Sequence, residues 1–293
     1  MRFEDYMKYG CNLSMLSEYA NSKGIVERYF GYLKGNYKAF WENTSNIQQV
    51  KYAIRMYRAQ KEMLSASQML AEAQQSKENG CVIVFFFLSY YALFHAMQAN
   101  LFMNINISDE EIVELSHSKV EKYFQDFYCK GSKSIMPHEI IDFFQRLKGF
   151  RELYSYSMPF NLSKELNIEI EKLEYYIKLC FQHCSLLSLV VNQIKGVACF
   201  ELSELQAVKA YFEECCYKSN PETGKLMKDI SDRLYWNEAE RNNGMDIMPF
   251  SLSVEHSFDE YGGYDSHILE QKGFENVGKI RSAAIRFYYN AIM

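Results

Sequence analysis

Three groups of side chains in this chain have the types and spacing to do chemistry. Cys180, His183 and Cys184 fall within one helical turn, and thiolates with an imidazole suit zinc. A structural zinc wants a second ligand pair, and none follows at ligand spacing, so packing in an apolar core is the reading for this trio. Glu255, His256, Asp259, Glu260, Asp265 and His267 gather two imidazoles and four carboxylates in a short stretch with Gly262 and Gly263. Such donors could hold a divalent ion. Their spacing matches no metal motif, and a solvated acidic loop is expected instead. No metal and no cofactor is therefore expected. The pairs Tyr90-Tyr91, Tyr175-Tyr176 and Tyr288-Tyr289 could stack bases. On helices such pairs usually place one ring in the core and the next at its rim. His95 sits on an apolar helical stretch, where a hydrogen-bonded core histidine is the default.

The elements that must position these groups are helical. The chain has 293 residues, 48% hydrophobic and 16% aromatic, enough for a sizeable core and too apolar for disorder. Lys and Arg number 32 against 37 Asp and Glu, a net charge of -5. That balance excludes a nonspecific coat on duplex DNA, which needs a basic excess. Eight cysteines are spread along the chain, several inside apolar runs, as expected of free thiols in a chain that needs no disulfide staples. The first residues, Met1-Arg2-Phe3-Glu4-Asp5, lack the basic start and apolar stretch of a signal peptide. Asn79 to Ser108 contains no Asp, Glu, Lys or Arg, long enough to span a bilayer. Ser89, Tyr90, Tyr91, His95, Gln98 and Asn100 crowd its second half and would be costly in lipid. A helix buried on all sides of a soluble bundle is expected, with no membrane and a cytoplasmic location.

Residues 1–44 read as a helical lead-in with Trp41 on a mixed surface. Apolar positions at three and four predict one long helix over 47–78, stopped by Gly80. The uncharged helix follows over 81–103. Ser108-Asp109-Glu110-Glu111 is a capping box opening a short helix. A helix over 117–129 carries Val120, Tyr123, Phe124 and Phe127 on one face. Gly131 lies in a loop, Pro137 opens a helix through Phe150, and Ser163 caps a helix to about Ile194. Beyond Gly196 the texture changes: Ser203-Glu204-Leu205-Gln206 is a second capping box, and a last helix covers about 275–291. Net charge runs +1 over 1–44, zero over 45–195 and -6 over 196–293. The acidic last part suits docking of a basic partner. The fold class is thus all-α, with an N-terminal extension (1–44), a bundle (45–195) and an acidic C-terminal helical region (196–293).

Ser89-Tyr90-Tyr91-Ala92-Leu93-Phe94-His95-Ala96-Met97 resembles the second helix of HEPN domains, in which a similar pattern follows a long amphipathic first helix. Ser116-His117-Ser118-Lys119-Val120 resembles the family's third-helix start, and Gly131 the loop after it. Phe143, Leu147 and Phe150-Arg151-Glu152-Leu153-Tyr154-Ser155-Tyr156 resemble its Arg-bearing element. Ser163-Lys164-Glu165 then begins the last helix. The resemblance covers about 45–195. It implies an up-and-down helical bundle, often dimeric, of the kind found in toxin–antitoxin pairs, phage defence and RNA processing. Active members are metal-independent ribonucleases with an Arg followed, after four to six residues, by a His. The imidazole moves the proton of the attacking 2′-hydroxyl and the guanidinium neutralises the developing phosphorane.

Arg151 occupies the family's Arg position, yet no His lies among residues 152–158. Tyr156 is the best-placed substitute, but an ordinary phenol titrates near 10 and is a poor base. Three functions follow as expectations. The first is a non-catalytic module that dimerises or binds RNA or a nucleotide-handling protein, with Tyr91, His95 and Glu152 as candidate binding residues. The second is an active ribonuclease toxin with an altered site at Arg151 and Tyr156. The third is a structural subunit of a larger complex. The first depends on Arg151 having no imidazole neighbour in space as well as along the chain.

Overall fold

A computed structural model describes Phe3, Met7 and residues 11–113, 115–131, 134–157, 168–195 and 275–293. All regular structure among them is helical: α1 (Ser14–Ser22), α2 (Val26–Asn43), α3 (Asn46–Glu78), α4 (Val82–Phe102), α5 (Asp109–Val113), α6 (His117–Phe124), α7 (Glu139–Glu152), α8 (Ile170–Lys195) and α9 (Glu275–Ile292). Segment 196–274 lies outside the described residues. It holds the second capping box and the Glu255–His267 group; Ser163 lies outside them too.

The long helix arises as its sequence predicts. Ser45 caps α3 by accepting from the Gln48 amide, while the Gln48 side chain accepts from the Ser45 amide. Gly80 ends it with φ +70°, a left-handed conformation that side chains resist. The chain folds straight back as α4, so α3 and α4 form an antiparallel hairpin. Around α4 pack α6, α7 and α8, while α9 covers α3 and α8. The missing charges of α4 are explained by this burial: from Phe85 to Phe102 only a few positions reach solvent. By length and hydropathy alone α4 could cross a membrane; 61% of its most apolar window is buried in the bundle instead. The burial is not uniform, because Ile83, Val84 and Phe87 near its start are exposed.

The C-terminal carbonyls of α4 find side-chain donors from three elements. Arg55 donates to Phe102 O (3.0 Å), Asn104 O (2.6 Å) and Ile107 O (2.9 Å). Tyr37 and Tyr52 both donate to Met103 O, at 2.7 and 2.8 Å, and Tyr128 donates to Asn100 O at 2.7 Å. Asn100 O and Phe102 O are among the acceptors that a helix end leaves orphaned, and Met103 O, Asn104 O and Ile107 O belong to the turn that follows; all are satisfied in the buried interior.

Two expectations change. The helix at 117 ends at Phe124 and continues as a π-turn over Gln125–Cys129. The wider turn rotates the chain so that Tyr128, and not Phe127, enters the core; Phe127 and Tyr123 are only partly buried. Trp41 is buried against Phe40 and Tyr52.

Cys180, His183 and Cys184 sit inside the core as free thiols and a closed imidazole. His183 Nδ1 lies 2.5 Å from Asn100 Oδ1, and Asn100 spends its amide N–H groups on Ala96 O and Cys180 O. His183 therefore donates from Nδ1 and accepts the Tyr29 hydroxyl at Nε2. Both ring nitrogens are used, leaving no lone pair for a metal. Burial pushes the His183 pKa from 6.5 down to about 3. The unfolded chain takes up this proton below pH 6.5 and the folded one does not. Stability is therefore full above that value and falls by about 1.4 kcal/mol per pH unit as pH drops towards 3. Urea midpoints at pH 7, 6, 5 and 4 should show this slope, and His183→Gln should reduce it by about that amount. An equal slope in the variant would assign the acid sensitivity elsewhere.

Candidate functional site

Two adjacent stripes on α4, each with a spacing of four residues, build the site. The inner stripe is Phe86, Tyr90 and Phe94. Phe150 and Tyr154 stack on Phe86 with ring centroids 4.8 and 5.0 Å apart. Phe144 stacks on Tyr90 at 5.0 Å, and the His117 ring stacks on Phe94 at 4.3 Å. Aromatic contacts thus fix α6 and the end of α7 against α4. The outer stripe is Phe87, Tyr91 and His95. It is open to solvent, with Phe87 exposed and the other two half-buried.

Arg151 lies between Phe150 and Tyr154 in the chain, so their stacking on Phe86 aims it at the next turn of α4. Its guanidinium carbon is 5.1 Å from the Tyr90 ring centroid and 6.0 Å from that of Tyr91. Its Nε is buried with no hydrogen-bond partner among the described residues. Burial opposes its charge, but the Tyr91 hydroxyl and the phenols of Tyr90 and Tyr156 outweigh this and raise its pKa. The α7 helix passes into a second π-turn, Leu153–Ser157, directly after it.

His117 opens α6 behind its Ser116 cap, which accepts from the Lys119 amide at 3.4 Å. Its Nδ1 is 2.8 Å from the Tyr90 hydroxyl, and its ring lies edge-on to Tyr91 at 5.6 Å. Burial lowers its pKa below 6.5, helped by the charges of Arg151, Lys148 and His95. Burial also keeps the Tyr90 phenol protonated, raising its pKa well above 10. Lys148 and Gln145 both reach Glu121, at 3.9 and 2.8 Å, at the rim.

His95 stands one turn beyond Tyr91. Its Nδ1 bonds to Glu62 Oε2 on α3, and Arg58 pairs with the other carboxylate oxygen. Glu62 is only 1% exposed, so the carboxylate is reached from inside the bundle, while the His95 side chain keeps 18% of its surface exposed.

Of the residues singled out in the sequence, Arg151, Tyr91 and His95 converge here. Tyr156 is 78% exposed on the π-turn beside Arg151, and Glu152 is exposed next to it. Tyr90, named in the sequence only as a base-stacking candidate, completes the group with His117 and Glu62, for which no chemistry was expected. Thirty-odd residues separate His117 from Arg151, and no local spacing links them. The buried thiols are inert by comparison; burial pushes Cys129 up to about 12. No family model, curated protein or solved structure matches the chain.

Proposed function

We propose that this bundle is a HEPN-like, metal-independent ribonuclease module whose chemistry is carried by Arg151 and His117. The observation that supports it is the imidazole of His117, bonded to Tyr90, beside a guanidinium lying over the same ring. The role that the resemblance gives to a His shortly after the Arg falls to one from another helix. With Nδ1–H donating to the Tyr90 oxygen, Nε2 carries the lone pair that removes a 2′-hydroxyl proton. The lowered pKa keeps that ring neutral near pH 7, as a base must be. Arg151 neutralises the phosphorane oxygens in a partly desolvated setting. Tyr91 and Phe87 offer open rings on which flanking bases stack.

The test is incubation of the purified full chain with a single-stranded RNA in excess chelator. Cleavage is expected, with 2′,3′-cyclic phosphate ends. A DNA strand of the same sequence should remain intact, because it lacks the nucleophile. Intact RNA under all such conditions would overturn the reading.

A second reading is a non-catalytic docking module, acting on RNA, a protein partner or a second copy. It is favoured by the exposed apolar side chains Ile83, Val84, Phe87 and Leu153 near the same end of the bundle. Light scattering on the wild type and on Val84→Lys tests it. A dimer lost in the variant, with no RNA cleavage in either, supports docking alone.

A further inference from the structure

Breaking an RNA backbone needs two proton transfers, and the site as described so far supplies one. The base takes a proton from O2′; a second group must give one to O5′ as the P–O5′ bond breaks. His95, on the outer stripe, is the second imidazole of the group. Its ring lies 5.5 Å from Phe94 and 6.2 Å from Tyr91, the same two rings that His117 contacts. The two imidazoles therefore share one aromatic pair, and the Arg151 guanidinium lies over one of its rings, Tyr91. Each is anchored through Nδ1, His95 by Glu62 and His117 by Tyr90. Anchoring through Nδ1 fixes the ring plane and leaves Nε2 for a ligand. Among the described residues nothing bonds to His95 Nε2.

We propose that His95 is a third catalytic residue of this site, the group that protonates the leaving oxygen, with Glu62 and Arg58 as its positioning residues. This rests on the ribonuclease reading and adds to it. In the step, the O2′ proton passes to His117 Nε2 and O2′ bonds to phosphorus. The P–O5′ bond breaks, and its electron pair on O5′ takes the Nε2 proton of the His95 imidazolium. The products are a 2′,3′-cyclic phosphate and a 5′-hydroxyl, and exchange with water resets both rings. Glu62 balances the imidazolium charge from behind, while Arg58 holds the carboxylate in place.

The test compares two RNA substrates, one ordinary and one with sulfur replacing the 5′-bridging oxygen at the scissile bond. Sulfur leaves without a proton. His95→Gln keeps a donor towards Glu62 and is expected to fold. It should cut ordinary RNA about 10²–10⁴-fold more slowly than wild type and the sulfur substrate within about tenfold of it. His117→Asn should be slow on both. Glu62→Gln should lower kcat on ordinary RNA by about 10- to 100-fold with KM unchanged, and be rescued by sulfur in the same way. Equal losses on both substrates in His95→Gln, or no loss on ordinary RNA, would overturn the assignment and leave the ribonuclease reading standing. Wild-type protein that cuts neither substrate would overturn both.

Discussion

Replacing His117 with asparagine is expected to lower RNA cleavage by about 10²–10⁴-fold, and Arg151→Ala to lower it by about 10²–10³-fold. The two losses have different causes. Without His117 the 2′-hydroxyl keeps its proton; without Arg151 the phosphorane charge is uncompensated. Because both act on one transition state, the double variant should be little slower than the worse single one. The pH profile carries a further signature. Cleavage needs a neutral base, so the acid limb should lie below the ordinary histidine value of 6.5, in line with the lowered pKa of His117. Arg151→Ala removes one of the positive charges that lower it, and should move that limb upward. Single-turnover rates across pH 4.5–8 read both effects. A limb at or above 6.5 in wild type, or one that stays put in Arg151→Ala, would exclude His117 as the base.

Arg55→Met is expected to destabilise the fold by about 3–5 kcal/mol, the largest stability effect foreseen for a single side chain. Arg55 is buried, and its guanidinium holds three carbonyls at and just after the end of α4 and the Asp109 carboxylate at 3.3 Å. Removing it leaves Phe102 O, Asn104 O and Ile107 O buried without their charged donor, losses that share one side chain and so do not add independently. The phenols of Tyr37 and Tyr52 are already committed to Met103 O and cannot replace it. Lysine keeps the charge but not the fork that reaches three acceptors, so Arg55→Lys should recover only part of the loss. Urea unfolding of the three proteins checks the order. A loss under 1 kcal/mol in Arg55→Met would mean that the α4 end finds other donors.

The helices were legible because their signals are local. Ser108 and Glu111 bracket one start, Gly80 marks one stop, and the charge-free run of α4 announces a helix enclosed by others. The aromatic pairs also behaved as core plus rim: Tyr90 and Tyr176 are buried, Tyr91 and Tyr175 half-buried. The site was half legible. Arg151, Tyr91 and His95 stood out, while His117 carries no local sign of chemistry, sitting behind a serine cap like many ordinary helix starts. Its partnership exists only because Phe94 and Tyr90 stack it beside α7. Glu62 was hidden for a similar reason. Glu at i+4 from Arg58 reads as a surface pair on a helix, and only the packing of α4 on α3 turns it inward. The π-turns were invisible, since one extra residue in a turn leaves no periodic trace in so short a segment.

The last helix has a consequence for how the molecule is made. Tyr288, Ala291 and Ile292 join the core, and Phe181 on α8 packs against Phe287 and Tyr288. A ribosome releases α8 before α9, with roughly eighty residues between them. At about 5–20 residues per second that interval lasts several seconds. Throughout it the flank of α3 and α8 that α9 covers in the folded molecule lacks that helix. Chaperone capture should therefore peak on chains stalled before residue 275 and fade once α9 has cleared the exit tunnel.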